Sequence, residues 1–357
     1  MPLLAVPFAL IAVVTVVDLL APPDVHLGPF LVAAPAVTAS FAGPRMTALV
    51  GAVAVLAQSL VAGARTSLTD LNHTYQIVAL FLISVFVTFF AYLREKHERE
   101  MSHLRWVAQA VRQAVMPPLP ERSGALHISS VYLAAEAEAQ LGGDLYAAVR
   151  QAGGTRVMVG DVRGKGLDAM GEAAGLLGAF RVLAHREPGL PEAVAQLDAA
   201  VTADGTGTMK PGRQEGGSAE AFVTAAVMDI PDTVPELRLV SCGHPPPLIL
   251  RAGHVHALDV GDPAPPLGLG HLLDVVFEEQ TFAFGVGDVL LLYTDGVIEA
   301  RDASGRFYPL SDRLASCGGG GPDALLQHLC ADLLDHADGH LGDDVAMVAI
   351  ERLPADR

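Results

Sequence analysis

Long apolar segments dominate the first 93 residues, where only two basic and three acidic residues occur. Four segments can be distinguished, over residues 3–20, 27–42, 46–62 and 75–93. A soluble helical core would need more charge than this to form its surface. The pattern predicts an all-helical membrane domain of about four spans, in which prolines interrupt the short second segment.

Positive charges predict how these spans are oriented. Three basic residues follow the last apolar segment between positions 94 and 99, and Arg45 lies in the turn between the second and third segments. Because basic residues mark the cytoplasmic side, both chain termini should lie in the cytoplasm. The outer loops near Asp24 and Asp70 are too short to fold as a sensor domain. We expect a multi-pass protein of the cell membrane whose remaining part is cytoplasmic.

Residues 94–116 are strongly helix-forming and contain neither glycine nor proline. Their apolar positions recur at intervals of three and four, which leaves two interpretations open. The segment is either a short coiled coil that pairs across a homodimer, or a single amphipathic helix that lies on the following domain. Pro117 ends it. We therefore divide the chain into a membrane domain (1–93), a helical linker (94–116) and a cytoplasmic domain (117–357).

Beyond Pro120 the apolar runs become short and alternate with turn residues. Strands are predicted over residues 127–133, 144–150, 155–161, 221–229, 237–241, 248–251, 275–282, 289–294 and 345–351. Helices are predicted over residues 166–185, 191–201, 309–315 and 322–336, and a glycine-rich surface loop over 206–218. Many strands and few helices, in no strict alternation, predict an α+β fold.

Charge and cysteine content narrow the range of functions. From Pro117 onward there are 16 basic and 34 acidic residues, within a net charge of -17 for the whole chain. So acidic a domain argues against nucleic acid as a partner. The three cysteines, Cys242, Cys317 and Cys330, lack the spacing of a zinc site or a disulfide framework. This composition is typical of a reducing compartment.

Acidic residues stand at the ends of several predicted strands, where the core meets solvent. They are Asp144, Asp161, Asp295 and the pair Asp343 and Asp344. Each alone is most simply a turn or cap residue, but carboxylates gathered at one edge repel one another unless cations hold them together. A set of oxygen ligands without histidine or cysteine favours Mg²⁺ or Mn²⁺. The joint placement of the acids predicts a metal site.

A series of short motifs surrounds these acids in a fixed order. The motifs are Gly142-Gly143-Asp144-Leu145-Tyr146, Gly160-Asp161-Val162-Arg163-Gly164-Lys165-Gly166, Phe222-Val223-Thr224, Gly243-His244-Pro245-Pro246-Pro247, Leu292-Tyr293-Thr294-Asp295-Gly296 and Asp343-Asp344-Val345. With their surroundings, about residues 113–352, they resemble the SpoIIE-type branch of the metal-dependent type 2C protein serine/threonine phosphatases. The resemblance implies a four-layer α-β-β-α sandwich with two metal ions at one edge.

The same resemblance implies roles for individual residues. Asp161 would bridge two Mn²⁺ or Mg²⁺ ions, with the carbonyl of Val162 as a further ligand. Asp144 and Asp295 would be the other metal-binding acids, and these two with Asp161 are the implied catalytic residues. Asp343 is our first choice for the last ligand and Asp344 our second, because the wider family has Asp followed by Asn there.

The implied chemistry is hydrolysis of phosphoserine or phosphothreonine by a metal-activated hydroxide, without a covalent intermediate. Relatives outside this branch carry a histidine two residues after the bridging Asp, proposed to protonate the leaving oxygen. This chain has Arg163 there, which cannot give up a proton at neutral pH, so the general acid is unassigned. His244 is better explained as a rigid turn residue among prolines than as a catalytic group.

Our interpretation is a membrane-anchored phosphatase that acts on a signalling protein, which by resemblance would be a phosphorylated anti-sigma-factor antagonist. Two alternatives belong to other classes of function. The phosphatase-like domain could be inactive and only dock a regulatory protein at the membrane, but its intact acids argue against that. The spans could form a transporter or channel, but Asp18 is almost their only charge, which disfavours an ion path.

Overall fold

The computed structural model of the chain divides into two compact units, Met1–Arg105 and Trp106–Arg357, and each is described by itself. The structure describes residues 4–21, 27–65, 71–135, 142–206, 222–272, 275–318 and 320–354. The sequence around Asp24 and Asp70 and nearly all of the predicted loop 206–218 lie outside the described residues.

The first unit is helical. Its helices are α1 (Ala5–Leu20), α2 (Ala33–Phe41), α3 (Pro44–Arg65) and α4 (Leu71–Val115), and a 3₁₀ helix over Gly28–Val32 precedes α2. Within the described residues, two stretches are long and apolar enough to cross a membrane by length and composition, Pro44–Ala64 and Thr74–Glu100. At 1.5 Å per residue the 16 residues of α1 extend about 24 Å, less than the roughly 30 Å of a bilayer core. The predicted count of four spans is therefore not confirmed.

Polar contacts connect separate segments of this unit. The carboxylate of Asp18, buried at the end of α1, accepts a hydrogen bond from the backbone N–H of Leu27 at 3.0 Å. The side-chain amide of Gln58 donates to that of Gln76 at 3.0 Å, which joins α3 to α4. Asp18, the one acid in the first apolar segment, therefore has a structural role, because its carboxylate binds the backbone N–H of Leu27.

Helix α4 is one unbroken helix of 45 residues and contains both the last predicted span and the predicted linker. Its last turn packs within the second unit. There Met116 is buried, and the carbonyl of Val115 accepts a hydrogen bond from Arg181 Nη2 at 3.0 Å. The guanidinium of Arg112 lies 4.2 Å from the centre of the Tyr132 ring. These contacts fix the end of the linker on the domain that follows, while pairing across a dimer stays a prediction.

Two antiparallel sheets form the second unit. Their strands are β1 (Arg122–Ser123), β2 (Leu126–Leu133), β3 (Asp144–Arg150), β4 (Gly154–Val162), β5 (Val223–Pro231), β6 (Glu236–Cys242), β7 (Leu248–Arg251), β8 (His254–Ala257), β9 (Gln280–Ala283), β10 (Val289–Tyr293) and β11 (Val345–Arg352). The six-stranded sheet has the order β1-β2-β11-β10-β7-β8, and the five-stranded sheet has the order β3-β4-β5-β6-β9.

Helices cover the outer faces of both sheets. They are α5 (Leu167–Arg186), α6 (Leu190–Thr206), α7 (Asp295–Glu299), α8 (Leu310–Ser316) and α9 (Gly321–His336). One apolar cluster joins α5 and α6 to the five-stranded sheet, a second fills the space between the sheets, and a third joins α8 and α9 to the six-stranded sheet. The predicted α-β-β-α sandwich is therefore confirmed.

Strand β10 shows why some strands of this domain are continuously apolar in sequence. Leu290 and Leu292 pack between the sheets, whereas Leu291 and Tyr293 pack under the helices on the other face. A strand covered on both faces needs a continuous apolar run rather than an alternating one.

One predicted strand was largely wrong. Residues 275–279 form no regular element, and only Gln280–Ala283 pairs with β6. The apolar side chain of Phe277 in this stretch is buried against the helix-covered core. Phe277 is apolar because it packs against the core as part of an irregular segment. The stretch therefore resembles a strand in sequence without forming one.

Candidate metal centre

Three carboxylates converge where β3 begins and β4 ends. Asp144 and Asp161 are direct partners in this antiparallel strand pair, so both lie at one edge of the five-stranded sheet. Asp295 comes from the other sheet, because β10 ends at Tyr293 and α7 begins at Asp295. One ligand oxygen from each of the three acids lies within 4.8 Å of the other two. The fold thus brings together three acids that are far apart in the sequence.

Thr294 links this edge to the opposite sheet. Its hydroxyl donates to Asp144 Oδ2 at 2.7 Å and accepts from the backbone N–H of Ala346 at 2.9 Å. Both Thr294 and Asp144 are buried. The carboxylate of Asp144 is therefore held in one orientation, and the position of the first acid depends on β11 as well as on β3.

Asp343 and Asp344 occupy different environments in the loop before β11. Asp344 is buried; its Oδ2 accepts from the Tyr132 hydroxyl at 3.0 Å and its Oδ1 from the backbone N–H of Ala135 at 2.7 Å. Asp343 is exposed, and its Oδ1 lies 3.1 Å from the Lys165 ammonium. Among the described residues, neither acid belongs to the group whose oxygens lie within 4.8 Å.

Burial and mutual repulsion shift the pKa values of the three clustered acids upward. Burial first, and then the charge of Asp161, raises the pKa of Asp144 well above its usual range. Burial, followed by the charges of Asp295, Asp343 and Asp344, raises the pKa of Asp161 to about 7. Burial and the charge of Asp343 also raise the pKa of Asp295. Such a site favours either protonation or a bound cation.

The residues fit divalent metal ions on these observations. Their donor atoms are carboxylate oxygens, which hard ions such as Mg²⁺ and Mn²⁺ prefer. Glycines at 142, 143 and 296 let backbone approach the acids closely; a Cβ at Gly296, for example, would lie 1.9 Å from the carbonyl oxygen of Asp344. The cation would offset the repulsion that raises the three pKa values.

His244 is a buried link between the two sheets. Its Nε2 donates to the carbonyl oxygen of Tyr293 at 3.1 Å, so Nδ1 accepts from the Thr224 hydroxyl at 3.2 Å. Burial lowers the pKa of His244 to about 4. A neutral imidazole with both nitrogens engaged is a structural group, and the sequence suggested only a turn residue here. Gly243, with φ of 66°, makes the turn that places it.

Three contacts at or beside this site have no clear signal in the sequence. Tyr132 lies 212 positions before Asp344 and was not identified as a site residue. Lys165 belongs to the motif that contains Asp161, but nothing in the sequence pairs it with Asp343. Arg163 lies with its guanidinium 5.0 Å from the centre of the Phe222 ring. Long-range side-chain contacts of this kind leave no periodic pattern.

Comparison with known proteins identifies relatives of this domain. The family model described as Stage II sporulation protein E (SpoIIE) matches residues 151–353. The RsbU and RsbW domains of a Mycobacterium tuberculosis protein are 28% identical over 68% of this chain and 64% of that one, with a TM-score of 0.51.

Two further solved structures share the fold. The SiaA-PP2C domain of Pseudomonas aeruginosa is 16% identical over 72% of this chain and 98% of that one, with a TM-score of 0.54. The PP2C phosphatase domain of Bacillus subtilis SpoIIE, with a fragment of its regulatory domain, is 15% identical over 64% of each chain, with a TM-score of 0.52. This chain thus spans less than two thirds of the Mycobacterium and Bacillus chains.

Proposed function

The chain belongs to the SpoIIE family, and from this premise we propose that it is a metal-dependent protein serine/threonine phosphatase. The observation that carries the proposal is the convergence of Asp144, Asp161 and Asp295, whose ligand oxygens lie within 4.8 Å of one another. A phosphatase-like module that had become an inactive docking protein would have no need to keep three mutually repelling acids together.

We infer that Asp161 would bridge two ions and that Asp144 and Asp295 would each hold one. Val162 would offer its carbonyl oxygen. Asp343 is the better candidate for the remaining ligand, because both oxygens of Asp344 already accept hydrogen bonds from Tyr132 and Ala135. When bound, Mn²⁺ or Mg²⁺ would lower the pKa of a coordinated water so that it can attack phosphorus.

Other side chains of the protein position the three acids. Thr294 orients the Asp144 carboxylate, and the buried His244 link holds β5 and β10, one strand from each sheet, at a fixed separation. Asp144 and Asp161 thus lie at strand ends and Asp295 at the start of α7, just after β10, and such fixed positions suit a reaction that depends on positioning. Asp343, which is exposed, marks the side of the centre that a phosphorylated protein can reach. The group that protonates the leaving oxygen is still unassigned.

For the substrate, we propose a phosphorylated signalling protein in a sigma-factor regulatory pathway, with an anti-sigma-factor antagonist as the specific candidate. The likeness to the RsbU and RsbW domains, together with the motif series in the sequence, supports this choice. A docking-only role for the domain is the alternative, and the assay below separates the two.

We further propose that residues 1–93 anchor the enzyme in the cell membrane with about four spans, that residues 94–116 connect them to it, and that residues 117–357 are cytoplasmic. Two helices of sufficient length and apolar character support the anchor. In a chain whose native cysteines are replaced by serine, single cysteines near Asp24 and Asp70 should react with an impermeant label outside intact cells. Cysteines at Arg45 and His97 should not. The opposite pattern would place the phosphatase domain outside.

The activity itself is tested with the full chain in detergent and a panel of phosphoserine and phosphothreonine proteins. Phosphate release should require Mn²⁺ or Mg²⁺ and stop when EDTA is added. Asp161→Asn should lower the rate by about a thousandfold or more, because it removes the carboxylate that would hold both metal ions. Asp312→Asn, an exposed acid in the first turn of α8, is the matched control and should leave the rate unchanged. Binding of a phosphoprotein without metal-dependent release would favour the docking alternative.

A further inference from the structure

Lys165 lies on the turn that connects β4 to α5. Glycines flank it on both sides, with φ of 111° at Gly164 and 90° at Gly166, conformations that other residues rarely adopt. Its ammonium nitrogen is 3.1 Å from Asp343 Oδ1, and the two side chains are 48% and 50% exposed. The turn therefore presents a cation to solvent beside Asp343, the candidate for the remaining metal ligand.

The position of Asp343 places the Lys165 ammonium beside the acids of the metal centre. The carbonyl oxygen of the next residue, Asp344, lies against Gly296, because a Cβ there would be 1.9 Å from it, and Gly296 directly follows Asp295. The charge of Asp343 also contributes to the raised pKa values of Asp161 and Asp295. Lys165, in contact with Asp343, consequently stands at the open rim of the metal centre, where a protein-bound phosphate would arrive.

The charge of the centre makes a cation at this rim useful. Five carboxylates lie in or beside it, Asp144, Asp161, Asp295, Asp343 and Asp344, while two divalent ions would supply only four positive charges. A phosphate ester that carries two negative charges would approach a site that is still negative. An added cation would offset this repulsion.

Two other cations near the centre have different surroundings. The guanidinium of Arg112 lies over the ring of Tyr132, and that of Arg163 lies over the ring of Phe222. Lys165 carries its charge on a flexible four-carbon stem. Its exposed ion pair with Asp343 is of a weak kind, so exchange for another anion costs little.

We propose that Lys165 contacts the phosphoryl oxygens of the substrate, and that its ion pair with Asp343 is the alternative position of the same side chain. This inference rests on the proposed phosphatase function and deepens it. Lys165 would bind the phosphate both in the substrate and in the released product. It would thus act on binding more than on the chemical step.

The test uses the full chain in detergent with saturating Mn²⁺ and compares Lys165→Gln, Lys165→Arg and the control Arg163→Gln. Two quantities are measured: KM for a phosphoprotein, and the dissociation constant of inorganic phosphate by calorimetry. Loss of one charge-assisted contact at an exposed rim should raise both by about tenfold in Lys165→Gln, with kcat changed by less than about threefold. Lys165→Arg should recover most of the affinity. Arg163→Gln removes the same charge from the same turn and should change either value by less than about twofold.

Equal effects of Lys165→Gln and Arg163→Gln would overturn the proposal. They would show that phosphate responds to the total positive charge of the turn and not to a direct contact with Lys165. Unchanged phosphate affinity in Lys165→Gln would overturn it as well. A thermal midpoint equal to that of the unmodified chain would show that Lys165→Gln is folded. If the unmodified chain released no phosphate from any phosphoprotein, the proposed function would fail, and phosphate calorimetry would still decide whether Lys165 contacts the anion.

Discussion

A Cβ atom at position 143 would lie 2.1 Å from the carbonyl oxygen of Val162, so only glycine fits opposite the end of β4. The same Cβ would lie 2.7 Å from Asp161 Oδ1. In return, the backbone N–H of Val162 donates to the carbonyl of Gly143 at 3.1 Å. The close approach of two backbones thus places a carbonyl oxygen and a carboxylate side by side, as a metal site built on Asp161 and Val162 would require.

We predict that Gly143→Ala displaces the Val162 carbonyl and the Asp161 carboxylate, because neither backbone can accommodate the methyl group. Calorimetry should show Mn²⁺ affinity lowered by at least about tenfold, and phosphate release should fall with it. Gly153→Ala is the matched control. No atom lies within 4 Å of a Cβ built at Gly153, and that glycine does not have a positive φ. Native Mn²⁺ affinity in Gly143→Ala would show that Val162 and Asp161 do not form the site.

The stability of the metal-free protein should fall as the pH rises. Folding raises the pKa of Asp161 from 3.8 to about 7, so the folded state holds a proton that the unfolded chain releases above about pH 4. The stabilisation that this proton provides is lost as the pH rises through 7. In EDTA, the thermal midpoint should therefore decrease between pH 5 and pH 8. The decrease should be smaller in Asp161→Asn, which cannot titrate.

Added Mn²⁺ should reverse this dependence, because the ion binds deprotonated carboxylates. It should raise the thermal midpoint more at pH 8 than at pH 5 in the unmodified chain. If Asp161→Asn showed the same midpoints as the unmodified chain at both pH values in EDTA, the titrating group would lie elsewhere in this acidic domain.

The sequence pattern predicted the sheets well because their strands are covered by helices or by the other sheet. Strand β3 was predicted with its observed limits, Asp144–Arg150, and the apolar run of β10 within one residue. Strands β1 and β8 were missed, since the first has two residues and the second, His254–Ala257, is mostly exposed. Neither contains an apolar pattern long enough to detect.

The acids of the site were predictable for a topological reason. Strand β3 starts with Asp144 and β4 nearly ends with Asp161, and adjacent antiparallel strands bring such ends together. The side chains that support them were not predictable. The Thr294 hydroxyl reaches Asp144 across 150 positions, and His244 joins strands of different sheets. Contacts of this type depend on how the sheets stack, which no local sequence pattern records.

Far from the metal centre, one buried ion pair should control stability. Arg156, only 2% exposed, donates through Nε and Nη2 to the two oxygens of Asp229 at 2.7 and 2.8 Å. Asp229→Ala would leave this charge buried without its partner, at a cost of about 3 to 5 kcal/mol. For a domain of this size the thermal midpoint should fall by about 10 °C.

Two comparisons make this prediction specific. Replacing both partners, with Arg156→Met and Asp229→Leu, should recover most of the lost stability, because no buried charge remains. Asp232→Ala removes the acid of the exposed Arg150–Asp232 pair and should cost less than about 1 kcal/mol. A similar loss for Asp229→Ala and Asp232→Ala would mean that burial of Arg156 has no energetic consequence.

The linker helix should affect activity through its register. Helix α4 continues unbroken to Val115, whose carbonyl accepts a hydrogen bond from Arg181 on α5, and α5 begins directly after the turn that follows Asp161 and Val162. If α4 pairs across a homodimer, a rotation of its last turn would shift α5 and so the β4 end of the metal centre.

Inserting two residues near His103 would rotate the helix face by about 200°, whereas inserting seven would nearly restore it. Measured in membranes, phosphatase activity should fall for the two-residue insertion and recover for the seven-residue insertion. The longer insertion controls for added length, since it extends the helix further than the shorter one. Equal activity of both variants would show that the linker is a passive tether and that signals from the membrane part do not reach Asp161 through α5.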